Sequence, residues 1–306
     1  MITELEYITE REGVRYALRA DKNVKQRNAW HLSTISGNGM PPASANGGQS
    51  YGIAGRSYNG LTVDGREIEA EVYADGHDPI GCQRLLSAVP RIVSTDNEAL
   101  GVLRLANAAG EWFRIPAKCT AFDVETQRRR SALCSAVFDC PYPYFESDVL
   151  HIAPFYAVKG GKEWPLERPY TFGNIDTLDA DGNTMLGDSY NETLTLVNEG
   201  DVAAPCVIRI YGAGMEAVEI TNQTTGAAII VANTQANGLE ISTDPNDLYA
   251  RFDDGRDASA YVSLFSDISA FNLRSGVNQV NVKMTATRIT EAGTQIEWRG
   301  RFTTCL

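Results

Sequence analysis

Two acidic clusters are the first candidates for chemistry in this chain. Asp179-Ala180-Asp181-Gly182-Asn183-Thr184 sets oxygen-bearing side chains at alternate positions, as the start of a calcium loop does. That loop needs glycine at its sixth position and glutamate at its twelfth, where this chain has Thr184 and Tyr190. An acidic hairpin tip is the better reading. Asp253-Asp254-Gly255-Arg256-Asp257 could supply paired carboxylates for glycoside hydrolysis. That reaction needs carboxyls facing each other across a cleft, and adjacency in sequence favours a solvated turn instead. For acyl transfer there is no G-x-S-x-G elbow. His77 precedes a predicted helix and His151 lies beside a predicted domain boundary, so both read as structural or exposed. His31, His77 and His151 are far apart, and none of the six cysteines has C-x-x-C spacing, which argues against zinc. No catalytic residue, metal or cofactor is expected.

Arg128-Arg129-Arg130 is the one dense basic cluster. It reads equally well as a solvated strand edge that suppresses aggregation and as an ion-pairing patch for an acidic neighbouring subunit. Tyr51, Tyr58, Tyr142, Tyr144 and Phe145 concentrate near one polar stretch and one boundary; aromatics of this kind serve interfaces and cores alike. The subunit-interface candidates are therefore Tyr51, Arg56, Tyr58, Arg128, Arg129 and Arg130.

The bulk composition narrows the function. Hydrophobic residues are 43% and charged residues 22%, an ordinary globular balance. The net charge of -12 is uneven: residues 1–147 hold 16 Lys/Arg against 18 Asp/Glu, and residues 148–306 hold 11 against 21. Such a surface repels phosphate backbones and anionic lipid, so neither specific nucleic-acid binding nor membrane docking is expected. The N-terminal stretch has no apolar signal region and no run of 18 apolar residues occurs, so reduced, buried thiols made in the cytoplasm are expected.

The elements that would position these groups are mostly short strands. Period-two alternation marks Cys206–Tyr211, Leu239–Ser242, Val280–Met284 and Ile296–Arg299. Val102–Leu105 and Trp112–Ile115 flank the turn-like Asn107-Ala108-Ala109-Gly110, and Asp-Gly or Asn-Gly pairs at 59, 64, 75, 181, 237 and 254 punctuate the rest. One helix is predicted over 79–89, capped by Asp78 with Pro79 at its first position and ended by Pro90. The Gly/Pro/Ser-rich stretch at 36–48 can bury little and reads as a long loop or arm. The prolines of Cys140-Pro141-Tyr142-Pro143-Tyr144-Phe145 mark a boundary. The fold class is mainly β: an N-terminal sandwich-like domain with one short helix (1–147) and a C-terminal β-sandwich (148–286), with the tail 287–306 returning to the first.

The order of pieces resembles the distal tail protein family of siphophages. Gly55-Arg56-Ser57-Tyr58-Asn59-Gly60, Gly65-Arg66-Glu67-Ile68, Arg84-Leu85-Leu86, Arg114-Ile115-Pro116-Ala117-Lys118-Cys119 and Val137–Phe145 carry the likeness in the first half. Asn198-Glu199-Gly200-Asp201, Ala204-Pro205, Ile220–Gly226, Leu239–Thr243 and Ser275–Asn278 carry it in the second. The resemblance implies a galectin-like C-terminal sandwich and a six-fold ring of N-terminal domains at the tip of a phage tail. The ring's partners would be the tail tube protein, the tail-tip hub and peripheral receptor-binding or side-fibre proteins, in a virion assembled in the host cytoplasm. The rival reading is a carbohydrate-binding module for host attachment, with Trp164, Tyr170 and Phe172 as candidate sugar platforms. A hydrolase built on Asp254 and Asp257 has only carboxylate abundance behind it.

Overall fold

The computed structural model describes the chain except residues 12, 23–26, 49–57, 94–98, 157–189, 212–214, 233–237 and 287–292. It has two compact units, Met1–Asp148 with Arg301–Leu306, and Val149–Gly300. The first unit runs to Asp148, and of the tail expected to return, Arg301–Leu306 belongs to it.

The first unit contains β1 (Ile2–Arg11), β2 (Val14–Asp21), β3 (Ala29–Ser36), β4 (Ala43–Ala45), β5 (Leu61–Val63), β6 (Arg66–Asp75), α1 (Pro79–Ile92), β7 (Gly101–Asn107), β8 (Trp112–Gln127), β9 (Ser131–Cys140) and β10 (Phe145–Ser147). Seven of these strands close on themselves in the order β8-β7-β1-β2-β3-β6-β9, with β9 returning to β8. The unit is thus a barrel, more closed than the sandwich-like form expected. Closure depends on β8 serving two neighbours. Its first half pairs with β7 (Leu103↔Ile115) and its second with β9 (Phe122↔Ala136). Register shifts at Cys119/Ala121 and Val124/Thr126 bend it between the two. The ring's only parallel neighbours among the described residues, β2 and β3, meet through the pair Ala20↔Trp30.

Alternation sends Ile68, Ala70, Val72 and Ala74 of β6 inward, and Ala132, Cys134, Ala136 and Phe138 of β9 with them. These small residues leave room for Tyr7, whose ring lies 4.9 Å from that of Phe138 and whose hydroxyl accepts the Cys119 N–H at 3.2 Å. Each large apolar side chain so buried contributes roughly 1.5–3 kcal/mol. Helix α1 is capped by Asp78, whose carboxylate accepts the Gly81 N–H at 2.6 Å, and it buries Cys82, Val89 and Ile92. It runs three residues beyond the predicted end. Pro90 falls in the last turn, where its missing N–H costs one bond, and Val93 N–H closes the helix onto the Val89 carbonyl.

The second unit contains β11 (His151–Tyr156), β12 (Tyr190–Asn198), β13 (Ala204–Tyr211), β14 (Met215–Asn222), β15 (Ala228–Ala232), β16 (Gly238–Ser242), β17 (Tyr249–Phe252), a 3-10 turn (Ser259–Tyr261), β18 (Asn272–Leu273), β19 (Gly276–Ala286) and β20 (Gly293–Trp298). One sheet runs β11-β20-β13-β16-β17 and the other β12-β19-β14-β15. Ile208, Ile241 and Ile296 of the first share one core with Val218, Ile229 and Val282 of the second, which makes the unit a β-sandwich. Asn198, Asn222 and Asn278 are buried near strand ends, where their amides donate to the carbonyls of Leu273, Asn272 and Arg274 in and just after β18.

β21 (Arg301–Phe302) then returns to the first unit. It pairs with β10 (Phe145↔Phe302), which itself pairs with β8 (Glu146↔Arg114). The Phe302 ring meets Phe113 edge-on at 5.2 Å, and Cys305 is fully buried. Among the described residues, no helix is long and apolar enough to cross a membrane.

Candidate functional site

The groups with catalytic potential do not converge in the described residues. Asp254 pairs with Arg256 at 2.7 Å, and Asp257 accepts the Ser259 hydroxyl at 2.6 Å and its N–H at 2.9 Å. Each carboxylate is thus occupied in its own turn. His77 Nδ1 lies 3.3 Å from Arg27 at the surface, and His151 stacks on Trp298 with ring centroids 5.3 Å apart. All six cysteines are buried thiols. Burial pushes Cys119, Cys140 and Cys305 up to about 12 and Cys134 up to about 11, away from the thiolate form a nucleophile needs. No group of His, Cys, Asp and Glu suited to a metal occurs among the described residues. The acidic stretch at 179–184 and the aromatics Trp164, Tyr170 and Phe172 lie outside the described residues.

What the first unit does present is a projecting ribbon. Between β3 and β6 the chain leaves the barrel, and β4 and β5 pair only with each other (Ser44↔Thr62). Asn46 and Asn59 extend the pairing through Asn46 N–H to Gly60 O at 2.8 Å and Asn59 N–H to Asn46 O at 2.7 Å. Nothing large is buried along it. Met40 is 73% exposed, Tyr58 70% and Leu61 54%. A two-stranded ribbon without a core is marginal in water by itself, so its ordering depends on how its base is held.

The base is held by Arg66 and Asn38. Arg66 is 3% exposed, and its guanidinium donates to the carbonyls of Gly39 (2.9 Å) and Thr303 (2.8 Å) while lying 4.5 Å from the Phe145 ring centroid. Burial lowers its pKa. Asn38 and Cys305 exchange two bonds: Asn38 Nδ2 donates to Cys305 O at 2.7 Å, and Cys305 N–H donates to Asn38 O at 3.0 Å. Gly37 sits between at φ +80, where an added Cβ would lie 2.0 Å from the Glu67 carbonyl oxygen. The ribbon is therefore rooted in the barrel by the returning tail.

Of the interface candidates, Tyr51 and Arg56 lie outside the described residues, and Tyr58 is exposed on the ribbon. Arg128, Arg129 and Arg130 form the exposed tip of the β8–β9 hairpin, tied by Arg128 N–H to Ser131 O and Gly76 N–H to Arg130 O. β6 separates the two places. Its Arg66 end adjoins the ribbon, and its Asp75 end pairs with Ser131 beside the arginine tip. Ten extended residues span about 30 Å, so ribbon and tip project from opposite ends of that strand.

Two surface features were missed from sequence. One is a charge ladder across β20, β13, β16 and β17. Arg209 bridges Glu240 (3.1 Å) and Glu297 (3.2 Å), and Glu240 also takes Arg251 and the Tyr249 hydroxyl at 2.6 Å. The other is Leu264-Phe265, an adjacent apolar pair standing in solvent. The flanking serines in Ser263-Leu264-Phe265-Ser266 were its only sequence signal.

The fold of the chain is similar to those of phage tail and baseplate proteins of known structure. The chain aligns over 99% of its length with 99% of the SPP1 Dit protein, described as a paradigm of the hub adsorption apparatus in phages infecting Gram-positive bacteria, at 11% identity and TM-score 0.60. Chains of the phage p2 baseplate in its activated conformation with Ca and with Sr match over 97% of this chain and 98% of theirs, at 12% and 13% identity and TM-scores of 0.51 and 0.52. No curated protein matches the chain. With residues 199–302 also matching the family model for the siphovirus-type tail component, C-terminal domain, the resemblance to distal tail proteins read from the motifs is borne out, in sequence over that segment and in fold over the whole chain.

Proposed function

We propose that the chain is a structural subunit of a phage tail tip, in which first units join into a six-fold ring between the tail tube protein and the hub, and second units face peripheral adhesion proteins. On this reading it has no catalytic role and resides in the virion. The observation that carries the proposal is the rooted ribbon. Closing a sheet into a barrel leaves few free strand edges with which to join a neighbour. Here β4 and β5 pair only with each other, so both have an open outer edge, on an arm whose base is locked to the barrel by Arg66 and Asn38. Strand addition through such an arm is a recognised way to build permanent contacts.

The opposite placement of ribbon and arginine tip supports a head-to-tail contact, the kind that closes into a ring by rotation. Native mass measurement and negative-stain imaging of the purified chain, alone and mixed with its tail tube and hub proteins, test the proposal. Rings of six subunits are expected. A strict monomer under all of these conditions defeats it.

A further inference from the structure

In the second unit, the segment from the 3-10 turn to β18 folds along the outer edge of β15. Val262 bridges Val231, Ser263 N–H donates to Ile230 O at 2.8 Å, and Ile230 N–H donates to the Ser266 hydroxyl at 2.8 Å. Within the turn, Ser266 N–H reaches Ser263 O at 2.9 Å and Phe265 N–H reaches the Ser263 hydroxyl at 3.2 Å. Phe271 is fully buried on the C-terminal side, and Val262 and Ile268 pack on the core. Val262, Ile268 and Phe271 beside the turn are used inward, whereas the two residues at its tip are not. Leu264 is 101% exposed and Phe265 88%. The turn is held from both sides, so these side chains stand on a fixed support.

We propose that Leu264 and Phe265 form a two-residue plug that seats in an apolar socket, bordered by lysine or arginine, on a different protein of the tail tip. The proposal rests on the hub reading above and adds the surface through which the second unit holds its partner. Large apolar side chains on a rigid support are the usual anchors of protein interfaces, because little freedom remains to be lost on binding. Charge identifies the partner's rim. Residues 238–271 carry seven Asp/Glu against two arginines, Arg251 and Arg256. Both arginines are already engaged, with Glu240 and Asp254 respectively. An acidic stretch of chain leading into and out of the turn favours a basic collar and steers its approach. The same charge disfavours the other use of an exposed Leu-Phe tip, insertion into an anionic membrane surface.

The test uses intact particles assembled in host cells from a genome carrying the variant. With Phe265→p-benzoyl-phenylalanine, irradiation of particles is expected to join this chain to one other protein species at that position. With L264S/F265S, the melting temperature of the purified chain should be unchanged and the chain should enter particles at its normal copy number. The copy number of the partner protein identified by cross-linking should fall by about tenfold or more in those particles, as loss of central anchors implies. Cross-links to lipid only, to another copy of this chain only, or to nothing overturn the plug while leaving the hub reading intact. So does a double variant whose particles have unchanged composition. Particles that contain no copy of the chain at all overturn both.

Discussion

The Arg66 guanidinium donates to the Thr303 carbonyl at 2.8 Å across 237 residues of sequence. The arginine is buried, and its bonds run to backbone carbonyls, with an aromatic face beside it. Its charge is thus compensated by dipoles, an arrangement that makes one side chain the common support of ribbon base, β10 and tail.

Arg66→Met keeps the volume and removes the donors. Buried carbonyls stripped of a partner cost about 1–3 kcal/mol each, so a loss of at least that order is expected for the first unit. Calorimetry should show the first unit's transition lowered and the second unit's unmoved. Equal lowering of both transitions would contradict the assignment.

Gly37→Ala should weaken the same base by another route. The position has φ +80 and its new Cβ would overlap the Glu67 carbonyl, so either the ribbon swings or β6 shifts. We expect a cost of at least about 1 kcal/mol in urea unfolding and faster proteolysis within residues 37–64. An alanine variant as stable and as resistant as the parent would show that the turn is not under this constraint.

The charge ladder predicts an alkaline and an acid limit for the second unit. Burial pushes the Glu240 carboxyl up, but the Tyr249 hydroxyl and the guanidinium groups of Arg251 and Arg209 together hold it below the usual 4.5. A depressed folded pKa means the ladder's contribution is complete above 4.5 and is lost as pH falls through the lower folded value. Tyr249 behaves oppositely: burial and the Glu240 carboxylate raise it from 10.0 to about 12, so its contribution is complete below pH 10 and fades between 10 and 12. Glu240→Gln should flatten both limbs of a melting temperature against pH profile. An unaltered profile would rule the ladder out as their source.

The thiols should be silent in the folded protein. All six are buried, and four have pKa values raised to about 11 or 12. Ellman's reagent at pH 8 should react only as fast as the chain opens, with all six thiols appearing in denaturant. Prompt reaction of any one in the native state would place it at the surface.

Local features were readable from the chain; distant pairings were not. Asp78-Pro79 announced the helix start, and Asn107–Gly110 announced the β7–β8 turn, because capping and turn chemistry act within a few residues. Barrel closure needs β9 on β6 and also on β8, a property of register over dozens of residues that alternation alone does not report. Arg66 stood in plain view: it is in phase with Ile68, Ala70 and Val72, and that phase points inward. Leu264 and Phe265 could not be singled out in the same way, since adjacent apolar residues more often belong to a core. The interface candidates at 128–130 and Tyr58 proved exposed, but exposure is a precondition for contact and does not identify the partner.

The second unit is spliced into the first, between Asp148 and Arg301. A ribosome therefore emits almost all of the barrel, then the entire sandwich, and only afterwards the six residues that include Phe302 and Cys305. The module made first must wait for the module made second before its arm can be fastened. The order of synthesis therefore sets the fastening of the ribbon base, through Thr303 and Cys305, after completion of the sandwich.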